Sequence, residues 1–444
     1  MAASSSNEGA FLLYLTVFRA RLGVANIVLP MTGFAYEPTA SLLRRIKLRL
    51  SETVDVQVAD PQNEHVFEYL MVKKLIRAPG KEASRAGRYG DFFLRRDGGV
   101  RVEHRTKGPI DTLPVFRVDL WMADPALPST VGVPTPDNCA EVLDLCHQFG
   151  LLSKRQNVWT GAGRLARELR RLTEDGGSNP FVLGPEAIVY LRQVLDLDGI
   201  FLCELLRFVQ HLADPFVRDD VARKLPEITE SAYLRAQGLQ VPSKVLSETR
   251  KYVLSLRRRT RTGAVRGGSA ARGVPTNVQK SASGGPGVLE HRTSARLEWL
   301  VDFGVLSKEG GAKNAFTYRK TPALARLLLL LDEALRARDS AGETAIRVLR
   351  AEERWQKFRS ALPLLSVEQA LLQGYRMMHR PVGPASIQEV SFLAGLFEQT
   401  QTLSPKDLVA KLIEWSSRER RITLSGGRYT RRPEFVHITP DMLL

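Results

Sequence analysis

The titratable residues of this 444-residue chain do not form a recognisable catalytic set. A metal-dependent nuclease needs two or three carboxylates, usually with a lysine, on neighbouring strands. Asp55, Glu103 and Asp119, with Glu68 and Lys73, could supply such groups, but their spacing matches no known set. The seven histidines do not pair at metal-binding spacing, and neither a Gly-Lys-Ser/Thr phosphate loop nor a Gly-x-Ser-x-Gly elbow is present. We therefore expect no catalytic residues, no metal and no cofactor.

The net charge of the chain says more about its function than the search for a catalytic set. Lys and Arg number 64 against 48 Asp and Glu, which gives a formal net charge of +16. An excess of this size favours a polyanionic partner, nucleic acid before membrane. Three cysteines argue against a disulfide framework and for a reducing compartment. No apolar run is long enough to cross a bilayer, so we expect a cytoplasmic protein, in the bacterial cytoplasm or nucleoid, with no membrane partner.

Two segments that lie 154 residues apart have nearly the same sequence, Phe-Gly-[Leu/Val]-Leu-Ser-Lys, at 149–154 and 303–308. Each ends an apolar-periodic helix with a glycine suited to the left-handed conformation, and each opens a short strand. A polar tip, a second strand and a new helix follow. A third unit at 386–438 reads as helix, turn, helix, strand, tip and strand, with Ser404-Pro405 as an N-cap and first-turn proline.

This order of elements resembles the winged helix-turn-helix superfamily. The expected fold is α+β and mostly helical, with two to three winged-helix units and an N-terminal mixed α/β domain. The predicted divisions are the N-terminal domain 1–134, a first winged-helix-like unit 135–178, a helical connector 179–242, a second unit 243–340 and a helical segment with the C-terminal unit 341–444. A basic, glycine-rich insertion at about 257–288 interrupts the second unit, and no acidic residue occurs from 250 to 289.

The resemblance implies that a helix of each unit enters the major groove and that the tip touches the backbone or the minor groove. The outer helix faces would present Arg292, Ser294 and Arg296 in the second unit and Lys406, Lys411 and Arg418 in the third. The tips would add Lys154, Arg155, Lys308, Lys313, Asn314, Arg319, Lys320, Arg428, Arg431 and Arg432, and the insertion would add Arg257, Arg258, Arg259 and Arg261 on phosphates.

We thus predict a non-enzymatic protein that binds double-stranded DNA through tandem winged helices, in transcription regulation, mobile-element biology or phage defence. Two alternatives remain open. The chain could be the DNA-recognition part of a restriction-type nuclease, with the chemistry in residues 1–134 or in a partner. It could also be an adaptor subunit, because winged helices also bind proteins.

Overall fold

The chain is mostly helical with small antiparallel sheets. The computed structural model describes residues 21–57, 91–94, 100–104, 108–109, 115–123, 136–172, 179–239, 241, 243–244, 246–247, 249–254, 286–309, 317–351, 362–379, 384–426, 433–439 and 442. Its helices are α1 (Ala25–Val28), α2 (Thr39–Leu50), α3 (Cys139–Gln148), α4 (Gly161–Arg171), α5 (Ala187–His211), α6 (Arg218–Gln237), α7 (Pro286–Asp302), α8 (Pro322–Ala337), α9 (Ala341–Ala351), α10 (Val367–Met378), α11 (Ile387–Phe397) and α12 (Pro405–Arg418).

Eleven short strands in the described ranges form four antiparallel sheets. They are β1 (Thr53–Gln57), β2 (Asp91–Leu94), β3 (Val100–His104), β4 (Gly108–Pro109), β5 (Val115–Asp119), β6 (Phe216–Val217), β7 (Leu306–Glu309), β8 (Thr317–Lys320), β9 (Ala385–Ser386), β10 (Ile422–Gly426) and β11 (Pro433–Ile438). The sheet orders are β1-β5, β2-β3-β4, β6-β8-β7 and β10-β11-β9. Helices and strands both occur in the predicted N-terminal region 1–134.

The two Phe-Gly segments adopt the same local structure. Gly150 and Gly304 have φ of +62° and +71°, the left-handed region that glycine enters at no steric cost. The residue after each glycine donates its N–H to the carbonyl of the residue five positions before that residue, at 2.8 Å in both copies. The predicted helix ends are therefore confirmed.

A threonine closes each copy on the far side of its tip. Thr160 donates its hydroxyl to the carbonyl of Leu151 at 3.1 Å, and Thr321 donates to that of Val305 at 2.9 Å. The hydroxyl ties the start of the following helix to the end of the preceding one, so the tip is held at both ends. The bridge pairing Leu152 with Trp159 in the first copy corresponds to the β7–β8 ladder in the second.

The repeats pack against each other rather than standing apart. Phe149 contacts Trp299 edge to face, with ring centroids 5.2 Å apart, and both side chains are fully buried. The buried apolar residues form one cluster that reaches from Leu22 to Ile438. Neighbouring units therefore share a core, and their relative positions are fixed by packing.

The second and third units have the same strand order, and their named helices follow in the same order, with additional helical residues at 243–244, 246–247 and 249–254 in the second unit. The second unit comprises α5, β6, α6, α7, β7 and β8, with β8 in the centre of its sheet. The third unit comprises α10, β9, α11, α12, β10 and β11, with β11 in the centre of its sheet. The predicted boundary at residue 242 cuts through the sheet of the second unit, because Phe216 of the connector 179–242 pairs with Tyr318. The connector thus supplies two helices and a strand to the second unit.

Candidate nucleic-acid interface

Helix α12 of the C-terminal unit lies at the surface and carries three basic side chains on its outer side. Ser404 caps it, since its hydroxyl accepts from the N–H of Asp407 at 3.2 Å, and Pro405 fills the first turn. Leu408 and Leu412 hold the inner side in the core. Lys406, Lys411 and Arg418 are all exposed, so these predicted contact residues are accessible to a ligand.

A carboxylate that the sequence reading did not single out lies among them. Glu414 accepts from Lys411 at 3.1 Å and also pairs with Arg418. The hydrogen bond and charge of Lys411, followed by the charge of Arg418, lower the pKa of Glu414. The spacing of three and four residues along a helix is the signal that could have revealed this cluster. Two of the three cations are therefore partly neutralised before any ligand arrives.

In the second unit, the predicted reading helix α7 is buried from Thr293 to Asp302, which corrects the assignment of Ser294 and Arg296 as surface contacts. Only 6% of Ser294 and 3% of Arg296 are exposed. The guanidinium of Arg296 donates through Nε to Oδ2 of Asp198 at 2.7 Å and through Nη2 to Oδ1 at 3.2 Å. Arg296 thus forms a buried ion pair within the core and cannot touch DNA. The side chain of Arg292 lies outside the described residues.

The wing of the second unit is also less available than its sequence suggests. Lys308 is buried and pairs with Glu298, which also accepts from the hydroxyl of Tyr318 at 2.9 Å. Burial lowers the pKa of Lys308, and Glu298 partly offsets that effect. The prediction that Lys308 contacts DNA is therefore wrong, because its ammonium group faces an internal carboxylate.

Two other wing residues of this unit lie at the surface but have intramolecular partners. Arg319 pairs with Glu309 across the β7–β8 ladder at 2.6 Å. Lys320 donates its ammonium to the backbone carbonyl of Gln210 at 3.0 Å. Any contact these two make with DNA would compete with the existing bonds.

The first unit offers an exposed basic tip. Lys154 and Arg155 are exposed, as the sequence reading expected. The outward side of α3 carries Asp144, which is exposed, and Glu141 beside it. A negative helix face repels phosphates, so the tip rather than the helix is the cationic part of this unit.

The remaining predicted contacts fall outside the described residues. These are Lys313, Asn314, Arg257, Arg258, Arg259, Arg261, Arg428, Arg431 and Arg432. Their involvement stays a prediction.

Two of the candidate nuclease carboxylates lie on one ladder, where the register makes Asp55 and Asp119 diagonal neighbours on the same face. Glu68 and Lys73 lie outside the described residues. Asp55 lies opposite Arg117 in the β1–β5 ladder, with an ion pair of 3.4 Å, while Asp119 lies opposite Thr53. The side chain of Glu103 is not among those described. Across the ranges given above, no group of three or more His, Cys, Asp or Glu side chains could hold a metal ion.

No protein-family model, curated protein or solved structure matches the chain. The helices that can be described are all too short or too polar to span a lipid bilayer.

Proposed function

We propose that this protein binds double-stranded DNA and that the C-terminal unit, with α12 as its reading helix, makes the principal contact. The observation that carries the proposal is the contrast between equivalent helices of the two complete units. α12 has an exposed basic side, whereas α7 is buried along its length from Thr293 to Asp302.

The order of elements supports a winged-helix fold for both units. In each, a short strand precedes two helices, and a two-stranded wing follows the second helix. The wing's last strand lies in the middle of the sheet, between the first wing strand and the short early strand. In the winged helices that this order resembles, the second helix and the wing contact a groove and its flanking phosphates together.

Phosphate contact would change the charge pairs on α12. Lys406 needs no rearrangement to face a phosphate, because it is exposed at the first turn. Lys411 and Arg418 would have to leave Glu414. Arginine suits phosphates and guanine edges through its planar fork of donors, so Arg418 is the residue we assign to base or bidentate phosphate contact.

The proposal is tested by titrating a fluorescent duplex of mixed sequence at several salt concentrations, with the triple variant Lys406→Ala, Lys411→Ala and Arg418→Ala. Each lost phosphate contact lowers the slope of log affinity against log salt by about 0.9, so a decrease of about 2 to 3 is expected. A matched control removes three cations from α6, as Arg218→Ala, Arg223→Ala and Lys224→Ala. Absence of duplex binding at low salt, or equal losses in both triple variants, would contradict the proposal.

An adaptor role is the second candidate. The burial of α7 favours it, because a unit whose reading helix is packed into the core offers no helix to a DNA groove. A stable protein partner that co-purifies after nuclease treatment, together with no duplex affinity, would support the adaptor role instead.

A further inference from the structure

A second candidate surface lies far along the chain from α12, where an N-terminal segment runs beside the tip of the first unit. Trp159 donates its backbone N–H to the carbonyl of Gly33 at 2.9 Å, and Glu37 donates to that of Gln156 at 3.1 Å. The two segments therefore run antiparallel. This pairing places residues 34–36 opposite residues 157–158, and Lys154 and Arg155 lie on the turn that precedes Gln156.

Asn157 holds the tip in place. It is buried with φ of +52°, a conformation that Asn tolerates better than most residues. Its amide donates to the carbonyl of Glu37 at 2.8 Å and to the hydroxyl of Thr39 at 3.0 Å, and its oxygen lies 2.8 Å from Nε2 of His147. The cations of the tip are thus carried on a fixed turn rather than on a loose loop.

Two aromatic rings stand at the surface beside this turn. Tyr36 is 63% exposed and Phe34 is 47% exposed. Phe34 is held edge to face against Trp159, with centroids 5.2 Å apart, and the guanidinium of Arg164 lies 5.1 Å from its ring. Exposed aromatic rings held in a fixed position are typical of interaction surfaces.

Four exposed cations lie on the two elements that adjoin these rings, the tip and α2. Lys154 and Arg155 come from the tip, and Arg44 and Arg45 come from α2, where both are exposed. Arg45 pairs with Glu37 at 3.5 Å. Within the described ranges, Arg44, Lys154 and Arg155 have no ion-pair partner. We call Phe34, Tyr36, Arg44, Arg45, Lys154 and Arg155 the aromatic-basic patch.

We propose that the aromatic-basic patch binds a single-stranded nucleic acid segment. Bases stack on Tyr36 and Phe34, while the phosphates between them contact Lys154, Arg155 and Arg44. A duplex keeps its base faces inside the stack, so its phosphates would contact the cations and its bases would not contact either ring. An unpaired strand uses both, because base stacking on aromatic side chains and a basic path along the backbone are its common recognition elements. This site does not depend on α12.

The tyrosine provides the discriminating test. The probes are a fluorescein-labelled oligothymidylate of about 20 nucleotides and a duplex of mixed sequence. Loss of one stacked base weakens binding by at least about fivefold, so Tyr36→Ala should lose that much affinity for oligothymidylate and little for the duplex. Tyr36→Phe keeps the ring and should bind like the parent protein. Leu234→Ala, which truncates an exposed leucine on α6, is the control for surface truncation.

Charge reversal tests the phosphate contacts. Lys154→Glu with Arg155→Glu should lower the salt slope of oligothymidylate binding by about 1.4, since single strands lose about 0.7 per contact. Arg223→Glu with Lys224→Glu on α6 gives the same change in net charge away from the patch. Its slope should stay unchanged.

Three results would overturn the proposal. The first is unchanged oligothymidylate affinity in Tyr36→Ala with a native circular dichroism spectrum. The second is equal weakening by both charge-reversal pairs. The third is binding of phosphatidylserine and phosphatidylcholine vesicles that depends on the residues of the aromatic-basic patch, while substitution of those residues leaves oligothymidylate binding unaffected. The α12 triple variant should retain oligothymidylate binding, so failure of the duplex proposal and failure of this one are distinguishable.

Discussion

Replacing Arg296 by alanine should destabilise the fold and not merely weaken DNA binding. The sequence places this arginine on a DNA-reading face, whereas the structure buries its guanidinium against Asp198 with two hydrogen bonds of 2.7 and 3.2 Å. The guanidinium also lies 4.3 Å from the ring centroid of Phe201. If Arg296 were a surface contact, its substitution would weaken DNA binding and leave stability unchanged. Because it forms a buried ion pair, its substitution should lower the free energy of unfolding.

The magnitude follows from the burial of the pair. Asp198 is fully buried, so truncating Arg296 leaves its carboxylate in the core without the guanidinium that pairs with it. Breaking a buried pair in this way costs about 3 to 5 kcal/mol in free energy of unfolding. Replacing both partners by apolar residues of similar size, as Arg296→Met with Asp198→Leu, removes that carboxylate and should recover most of the loss.

Urea unfolding followed by far-ultraviolet circular dichroism measures this loss directly. Lys406→Ala is the control, because an exposed residue without buried contacts should change the free energy of unfolding by no more than about 0.5 kcal/mol. If Arg296→Ala unfolds at the parental urea concentration yet loses duplex affinity, the side chain is a surface contact and the argument from burial fails.

Four further outcomes are expected. Gly163→Ala should lower the melting temperature sharply, because its Cβ would lie 2.0 Å from a backbone carbonyl oxygen. The control Gly199→Ala should be neutral or stabilising, since its Cβ would have its nearest neighbour at 4.0 Å. Similar melting temperatures for the two variants would argue against this packing. Burial raises the pKa of Cys203 to about 12, so iodoacetamide at about pH 8.5 should label Cys139 and spare Cys203 in the native protein, as mass spectrometry can check. The same shift makes stability fall above about pH 9, where only the unfolded thiol ionises. Glu414→Gln should tighten duplex binding by freeing two cations; weaker binding in a fluorescence titration would show that the carboxylate positions them.

The sequence predicted local features well where one short-range rule decides the conformation. The Phe-Gly helix ends were foreseen because glycine alone enters the left-handed region freely, and the structure confirms both. The capped start of α12 at Ser404-Pro405 follows from the side-chain oxygen that accepts a backbone N–H. Pro322 begins α8 as its first-turn proline, directly after Thr321.

The candidate site was harder to predict because exposure depends on neighbours distant in sequence. The aromatic-basic patch forms where residues 33–37 pair with residues 156–159, more than a hundred positions away. Its exposed tyrosine carries no sequence mark that distinguishes it from a core aromatic. By contrast, the exposed side of α12 could be predicted from the sequence, since helical spacing places Leu408 and Leu412 on one side of the helix and Lys411 on another.

What the sequence determined by itself is the Phe-Gly repeat and the ends of its helices, since these rest on contacts within a few residues. Which helix faces solvent was decided only by the tertiary structure. α7 carries Arg296 and Asp302, polar residues that an isolated helix would turn toward water. They are buried because Asp198 and Arg21 supply opposite charges from elsewhere in the chain, and a buried charge is tolerated only with such a partner.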